Sequence, residues 1–162
     1  MYQTPSSRRD WLRTAALGAA GVAAAIAARP ASLFALGQQA KPAMTVYKSP
    51  TCGCCNAWVN HVNANGFNAT GQNVSDLSAI KRRFGVPRAL ESCHTALVGG
   101  YVVEGHVPAD LVQRMLREKP DAVGIAVPGM PIGSPGMEGG RPEKYDVLLF
   151  DKEGRTRVYA SR

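Results

Sequence analysis

The sequence predicts an α/β fold in which a small mixed sheet is flanked by helices. Two observations support this prediction. Short runs rich in β-branched and aromatic residues, the first at residues 45–48, alternate with segments whose apolar residues recur at helical spacing. Gly and Pro residues separate many of these segments, as expected of the turns that connect strands and helices. This alternation is typical of a sheet that is covered by helices.

The first half of the pattern contains two predicted strands and two predicted helices. The strand at residues 45–48 precedes a helix at residues 54–65, whose apolar residues share one face. A weaker strand is expected between residues 67 and 74. Ser75 is expected to cap a second helix, which Gly85 ends. The first cysteines therefore lie between a strand and the first turn of a helix.

The second half predicts two hairpins, a helix and a long loop. The pair Gly99-Gly100 lies between two apolar runs and predicts a hairpin, and Pro108 begins a helix that Pro120 closes. Residues 124–142, rich in Gly, Pro and Met, are predicted to be a loop. Residues 147–160 predict a C-terminal β-hairpin. The order of strand, cysteine-bearing helix, strand, helix, hairpin and helix fits a small thioredoxin-like sheet.

The N-terminus predicts an export signal. Within residues 1–37, Arg8-Arg9 precede an apolar, Ala-rich run and then small residues, which is typical of a twin-arginine-type signal peptide. The apolar run is short and weakly hydrophobic for a membrane span. Residues 38–43 are then a linker, and residues 44–162 form one thioredoxin-like domain. We expect a periplasmic protein with no membrane attachment after cleavage; an ordinary Sec signal and an uncleaved anchor are the alternatives.

The charge distribution argues against a nucleic-acid partner. The net charge is +7, but residues 1–37 hold four Arg against one Asp, which leaves 15 basic and 11 acidic residues for the remainder. The one basic run, Lys81-Arg82-Arg83, has no aromatic residues within it and predicts a solvated helix face. Glu104 and Glu138 have no charged neighbour in the sequence and are predicted to be surface residues.

The four cysteines carry the strongest chemical signal. They are Cys52, Cys54, Cys55 and Cys93, and all four follow the predicted signal peptide. Neighbouring cysteines close almost no loop, so the triplet is poorly spaced for stabilising disulfides. Thiols at a helix start ionise more easily, and soft thiolates prefer copper(I), with zinc and iron–sulfur chemistry as competitors. The pattern predicts that residues 44–162 bind copper(I), and adjacent thiolates could bridge several ions in a multinuclear cluster.

Two other interpretations of the cysteines remain open at this point. Cys52 and Cys55 have the C-x-x-C spacing of thiol-disulfide oxidoreductases, with Cys52 as nucleophile and Cys55 as resolving partner. Thioredoxin-like enzymes usually place a cis-proline opposite that pair, whereas the corresponding stretch here is Ser-Cys-His-Thr at residues 92–95. A thiol in that position favours a closed metal site. The third interpretation is a structural exported domain with inert disulfides.

Four further residues are candidate ligands. Met130 and Met137 lie in the predicted loop, and their thioethers are soft ligands; the alternative is that they fill gaps beneath a Pro-rich segment. His94 follows Cys93, and its imidazole suits copper, but it could instead be bonded to the backbone at a strand start. His106 could ligate copper or fix the start of the following helix. His61 is expected to face solvent or support the ligands.

Several motifs carry a family resemblance. Lys-Ser-Pro-Thr-Cys-Gly-Cys-Cys at residues 48–55 is followed by Trp58, His61 and Gly66-Phe67. Further matching segments are residues 93–96, 101–108, 124–131 and 134–138. Together these motifs resemble the CopG-type copper-resistance family of bacterial periplasmic metal-binding proteins, across residues 44–160.

The resemblance implies a thioredoxin-like fold, copper binding through the cysteines and a role in copper tolerance. The implied partners are copper ions and other periplasmic copper-handling proteins. The family's motif leaves open whether its members turn over a substrate. We therefore expect a copper-binding protein, with redox cycling of copper or thiol-disulfide exchange as an added or alternative activity.

Overall fold

Seven strands form one mixed sheet in the part of the chain, residues 40–162, that the computed structural model describes. The strands are β1 (Ala43–Lys48), β2 (Asn68–Asn73), β3 (His94–Val98), β4 (Tyr101–Glu104), β5 (Gly124–Ala126), β6 (Asp146–Phe150) and β7 (Thr156–Ser161). The helices are α1 (Gly53–Ala64), α2 (Leu77–Arg83) and α3 (Ala109–Glu118). The predicted α/β class is therefore confirmed, while its thioredoxin-like character stays a prediction.

The strands follow the order β2-β1-β3-β4-β5-β6-β7 across the sheet. β1 pairs with β2 in parallel through α1, and on its other side it pairs with β3 in antiparallel register. β3 and β4 form the hairpin predicted from Gly99-Gly100, whose φ angles of 56° and 84° are those that a tight hairpin turn requires. β6 and β7 form the predicted C-terminal hairpin, which lies at the edge of the sheet opposite β2.

The prediction of a loop over residues 124–142 was wrong at its start. Gly124–Ala126 is the strand β5, which pairs in parallel with β4 and antiparallel with β6. All three of its residues are buried. The strands on either side, β4 and β6, stabilise this short strand. The sequence hides it because three residues are too few to show a period.

Two apolar layers cover the two faces of the sheet. The larger lies between one face and helices α1 and α3; its fully buried members include Val46, Trp58, Val62, Val103, Val112 and Met115. The smaller lies on the other face, where α2 packs against β1 and β3. It comprises Val86, Leu90, Val102, Ala126 and Phe150. Burial of these side chains is the main favourable contribution to the fold.

The helix starts differ in detail from the predicted ones. Cys52 caps α1, since its sulfur accepts the Cys55 backbone N–H at 3.3 Å. Asp76, and not the predicted Ser75, caps α2 by accepting the Ala79 N–H at 2.9 Å. Pro108 precedes α3 as predicted. None of the helices described here is long and apolar enough to cross a membrane.

The predicted signal peptide, residues 1–37, and the first residues of the 38–43 linker lie outside the described residues. The last residue of that predicted linker, Ala43, is already part of β1. The segment that follows β5 is irregular and contains several tight turns, as predicted for a Gly- and Pro-rich stretch.

Gly124→Ala is expected to destabilise the domain by about 1 to 3 kcal/mol, as overpacking in a well-packed core does. A Cβ at residue 124 would lie 2.2 Å from the Val102 carbonyl oxygen and 2.9 Å from Phe150 Cζ. The free energy of unfolding in urea measures the effect. Gly53→Ala is the matched control, because its added Cβ would meet no atom within 4 Å other than those of its own helix backbone and chain neighbours. Equal stability of the two variants would contradict the strand assignment.

Candidate metal centre

Strand pairing brings the two cysteine-bearing segments together. β1 and β3 are antiparallel with Lys48 opposite His94, so the end of one strand lies beside the start of the other. The triplet Cys52, Cys54 and Cys55 follows β1 after the short turn at residues 49–51, and Cys93 directly precedes β3. Segments that are about 40 residues apart in the chain therefore meet where β1 ends and β3 begins, because the register fixes their separation.

The four sulfur atoms form one cluster, with all ligand atoms within 4.8 Å of one another. Cys52 and Cys55 are joined by a disulfide, with their Cα atoms 5.4 Å apart. Cys54 Sγ lies 3.5 Å from Cys52 Sγ and 3.9 Å from Cys93 Sγ. The fold thus meets the geometric condition for a site built from all four cysteines, although the disulfide leaves only two thiols in this state.

His106 faces the same cluster. Its Nε2 lies 2.8 Å from Cys93 Sγ, and its Nδ1 donates to the Pro135 carbonyl at 2.7 Å. Because Nδ1 carries the proton in that bond, the Nε2 lone pair points at the sulfur. A histidine that ligates metal usually has this arrangement, in which the second nitrogen is tied to a carbonyl. Burial lowers the pKa of His106, which keeps the ring neutral.

His94 is fully buried within the cluster. Its ring lies 4.4 Å from the Trp58 ring and 5.1 Å from the His106 ring, measured between centroids. His94 Nδ1 is 3.3 Å from Cys93 Sγ, and its Nε2 is the one buried side-chain nitrogen or oxygen without a partner among residues 40–162. Burial places its pKa well below the usual value, and the nearby His106 and Lys81 add to that shift.

Burial also sets the protonation state of Cys93. Desolvation, followed by the proximity of Cys54, raises the pKa of the Cys93 thiol to about 12. The shifts of Cys93 and His106 both favour a neutral pair, in which the thiol donates to the imidazole. A soft cation would replace that proton, because thiolate is the form that binds metal.

Trp58 and His61 support the cluster without joining it. The Trp58 ring is fully buried beneath the cysteine turn, and its Nε1 donates to the Val107 carbonyl at 2.9 Å. His61 Nε2 accepts the Ala109 N–H at 3.2 Å, so it caps the start of α3. Burial lowers the pKa of His61 and favours the neutral ring that this contact needs.

The loop that contains Met130 and Met137 packs against the cluster. The Pro135 carbonyl is bonded to His106, and a Cβ at Gly136 would lie 2.8 Å from the Cys54 carbonyl oxygen. Met130 is 51% exposed and Met137 is half-buried. The two methionines stay predicted ligands, in a segment whose backbone lies over the site.

A buried ion pair lies behind the cluster, where the sequence predicted surface charges. That prediction was wrong for Lys81 and Glu104, whose side chains are 4% and 0% exposed and form an ion pair. Thr95 Oγ1 donates to Glu104 at 2.7 Å and accepts from Lys81 at 3.1 Å. Burial raises the pKa of Glu104, and the Lys81 ammonium opposes that shift. The prediction for Glu138 is confirmed, since it is exposed.

Fold and site together define a class, an α/β protein with a cysteine–histidine cluster that could hold a soft metal ion. Two solved structures of copper resistance protein copG, Form 2 and Form 1, are each 47% identical to this chain with a TM-score of 0.71. They cover 75% and 74% of this chain, and the matches span 98% and 96% of the solved chains. The chain therefore belongs to the CopG copper resistance family, as its motifs predicted.

Two other comparisons add little to this assignment. Residues 90–137 match a family model described as a protein of unknown function, DUF411. The matched segment begins just before Cys93 and ends at Met137, so it contains His94, His106 and the loop. No curated protein matches the chain.

Alkylation of Cys93 in metal-free protein is expected to be slow at pH 7 and to accelerate about tenfold per pH unit into the alkaline range, because only the thiolate reacts. A pKa of about 12 requires this profile. Iodoacetamide labelling followed by peptide mass spectrometry measures it. Unfolded protein in urea serves as the control, where Cys93 should react at the rate of an ordinary thiol. A fast rate that is flat between pH 6 and 9 would instead indicate a thiolate paired with protonated His106.

Proposed function

We propose that the protein binds copper(I) in the periplasm through the thiolates of Cys52, Cys54, Cys55 and Cys93, and so contributes to copper resistance. The observation that carries the proposal is the single cluster formed by the four sulfurs. Similarity to proteins named copper resistance proteins supports copper as the metal. The chemistry of the donors agrees, because thiolates and imidazole suit copper better than they suit hard cations.

Copper loading requires a change in the redox state of the site. The Cys52–Cys55 disulfide takes up two electrons from an external dithiol, which is itself oxidised to a disulfide, and the two thiolates formed complete the four-sulfur donor set. In the reverse direction two copper(II) ions accept one electron each from two thiolates, which yields two copper(I) ions and the disulfide. The site can therefore couple the oxidation state of copper to that of the cysteines. Adjacent thiolates can also bridge ions, which supports a cluster over a single ion.

The predicted twin-arginine-type signal motivates the periplasmic location. That route carries folded proteins, which suits a domain whose ligands come from separate parts of the chain. Copper ions are the primary partner under this proposal. Copper-handling proteins of the same compartment would deliver or receive them.

Cys54→Ser is expected to lower the number of copper ions bound per reduced domain, because Cys54 lies between Cys52 and Cys93 and is placed to bridge ions. Elemental analysis of protein loaded with copper(I) measures the stoichiometry. Thr51→Ser is the matched control, since Thr51 is an exposed neighbour of the cluster. Wild-type protein that binds no copper, or a Cys54→Ser variant with unchanged stoichiometry, would refute the proposal.

A second candidate function is thiol-disulfide oxidoreduction. The Cys52–Cys55 disulfide at the start of α1 motivates it, because helix N-termini stabilise the thiolate of an attacking cysteine. Cys52 is half-buried and Cys55 is fully buried, as expected of a nucleophile and its resolving partner.

Under this alternative, Cys52→Ser should abolish disulfide reductase activity of metal-free protein, whereas Cys54→Ser should retain it. Turnover of a small disulfide substrate, with a dithiol as the electron donor, measures the activity. The pair of variants separates the two functions, because copper binding depends on Cys54 and C-x-x-C exchange does not. Absence of turnover in the wild-type protein would exclude the oxidoreductase.

A further inference from the structure

The buried pair of Lys81 and Glu104 is connected to the cysteine cluster through the backbone. Glu104 Oε1 accepts the Ser92 backbone N–H at 2.6 Å, in addition to its contact with Lys81. Glu104 Oε2 accepts the Thr95 hydroxyl at 2.7 Å. One carboxylate thus binds the residue before Cys93 and a residue two positions after it.

Two further hydrogen bonds hold the same turn. The Ser92 hydroxyl donates to the Gly129 carbonyl, in the loop that carries Met130. The Gly105 N–H donates to the His94 carbonyl at 3.0 Å. The backbone around Cys93 is therefore fixed on both sides, although Cys93 itself lies outside a regular strand or helix.

Stability alone does not account for an ion pair in this position. Removing two charges from water carries a large desolvation cost, and well-packed apolar residues of similar volume are often as stabilising as a buried pair. The apolar layer on this face of the sheet could accept such residues. What apolar side chains could not provide is an acceptor for the Ser92 N–H.

We propose that Lys81 and Glu104 form a positioning pair for Cys93, in which the carboxylate fixes the Ser92–His94 turn and thereby the place of the Cys93 sulfur. Lys81 keeps this carboxylate in place by binding the same oxygen from α2. The consequence for copper rests on the proposed function: a fixed Cys93 sulfur meets Cys54 and His106 without reorganisation when copper binds.

The test uses a double variant, Lys81→Met with Glu104→Met, which removes both charges and leaves no unpaired ion. If the pair positions Cys93, this variant should fold with near-wild-type stability but bind copper(I) about 10- to 100-fold more weakly, the usual cost of losing an outer contact of a metal site. Competition with a colorimetric copper(I) chelator measures the affinity. Arg82→Met is the matched control, because it removes an exposed cation from the adjacent position of α2.

Two measurements on metal-free protein make the test independent of copper. Alkylation of Cys93 at pH 8 should be about tenfold faster in the double variant, since a loosened turn gives the reagent access to the half-buried sulfur. In wild-type protein, the Ser92 amide should be protected from hydrogen exchange to the level of the β3–β4 ladder, because its partner is buried.

The outcomes separate the two proposals. A double variant with wild-type copper affinity and alkylation rate would overturn the positioning role, as would a Ser92 amide that exchanges freely in the wild-type protein. If the wild-type protein binds no copper, the proposed function fails, while amide protection and alkylation still decide the positioning role. If the double variant does not fold, Lys81→Met with Glu104→Gln keeps an acceptor for the Ser92 N–H and leaves no unpaired ion. This variant should bind copper as tightly as the wild-type protein, and a loss of about 10-fold or more would overturn the proposal.

Discussion

The antiparallel pairing of β1 with β3 is the interaction on which the site depends. Its register places His94 opposite Lys48, so the chain leaves one strand at the cysteine triplet and enters the other just after Cys93. A shift of one residue would turn every side chain of the shifted strand to the other face of the sheet and remove His94 from the Trp58 ring. The cluster is therefore a product of sheet register, supported by the apolar layer under α1 and α3.

Much of the fold could be predicted from the sequence because its signals are local. The turn at Gly99-Gly100 needs two left-handed residues, and glycine provides them at little cost. The helix after Pro108 is likewise marked by its own apolar spacing. β5 carries no such signal, since its three residues form a strand only because β4 and β6 lie on either side. Pairing partners are distant in sequence and leave no local trace.

The sequence predicts the site residues whose chemistry follows from their residue type. It misses those whose role depends on a second residue that is distant in the chain. Four cysteines indicate soft-metal or redox chemistry wherever they lie close together. Lys81, by contrast, belongs to a basic run that looks solvated, and Glu104, the acid that neutralises it, lies 23 residues further along the chain. Their burial becomes visible only when α2 is packed against β3. The direction of the His106 Nε2 lone pair could not be predicted either, because it depends on the bond to the Pro135 carbonyl, 29 residues further along the chain.

The bond between His106 and the Pro135 carbonyl has an evolutionary consequence. The main chain provides this acceptor, so replacement of individual side chains along the segment would leave the imidazole correctly oriented. The segment is constrained in its path and length, and most of all at Gly136, where φ is 87° and a methyl group would meet the backbone of α1. Insertions or deletions next to Pro135 should thus disturb the imidazole more than side-chain replacements there.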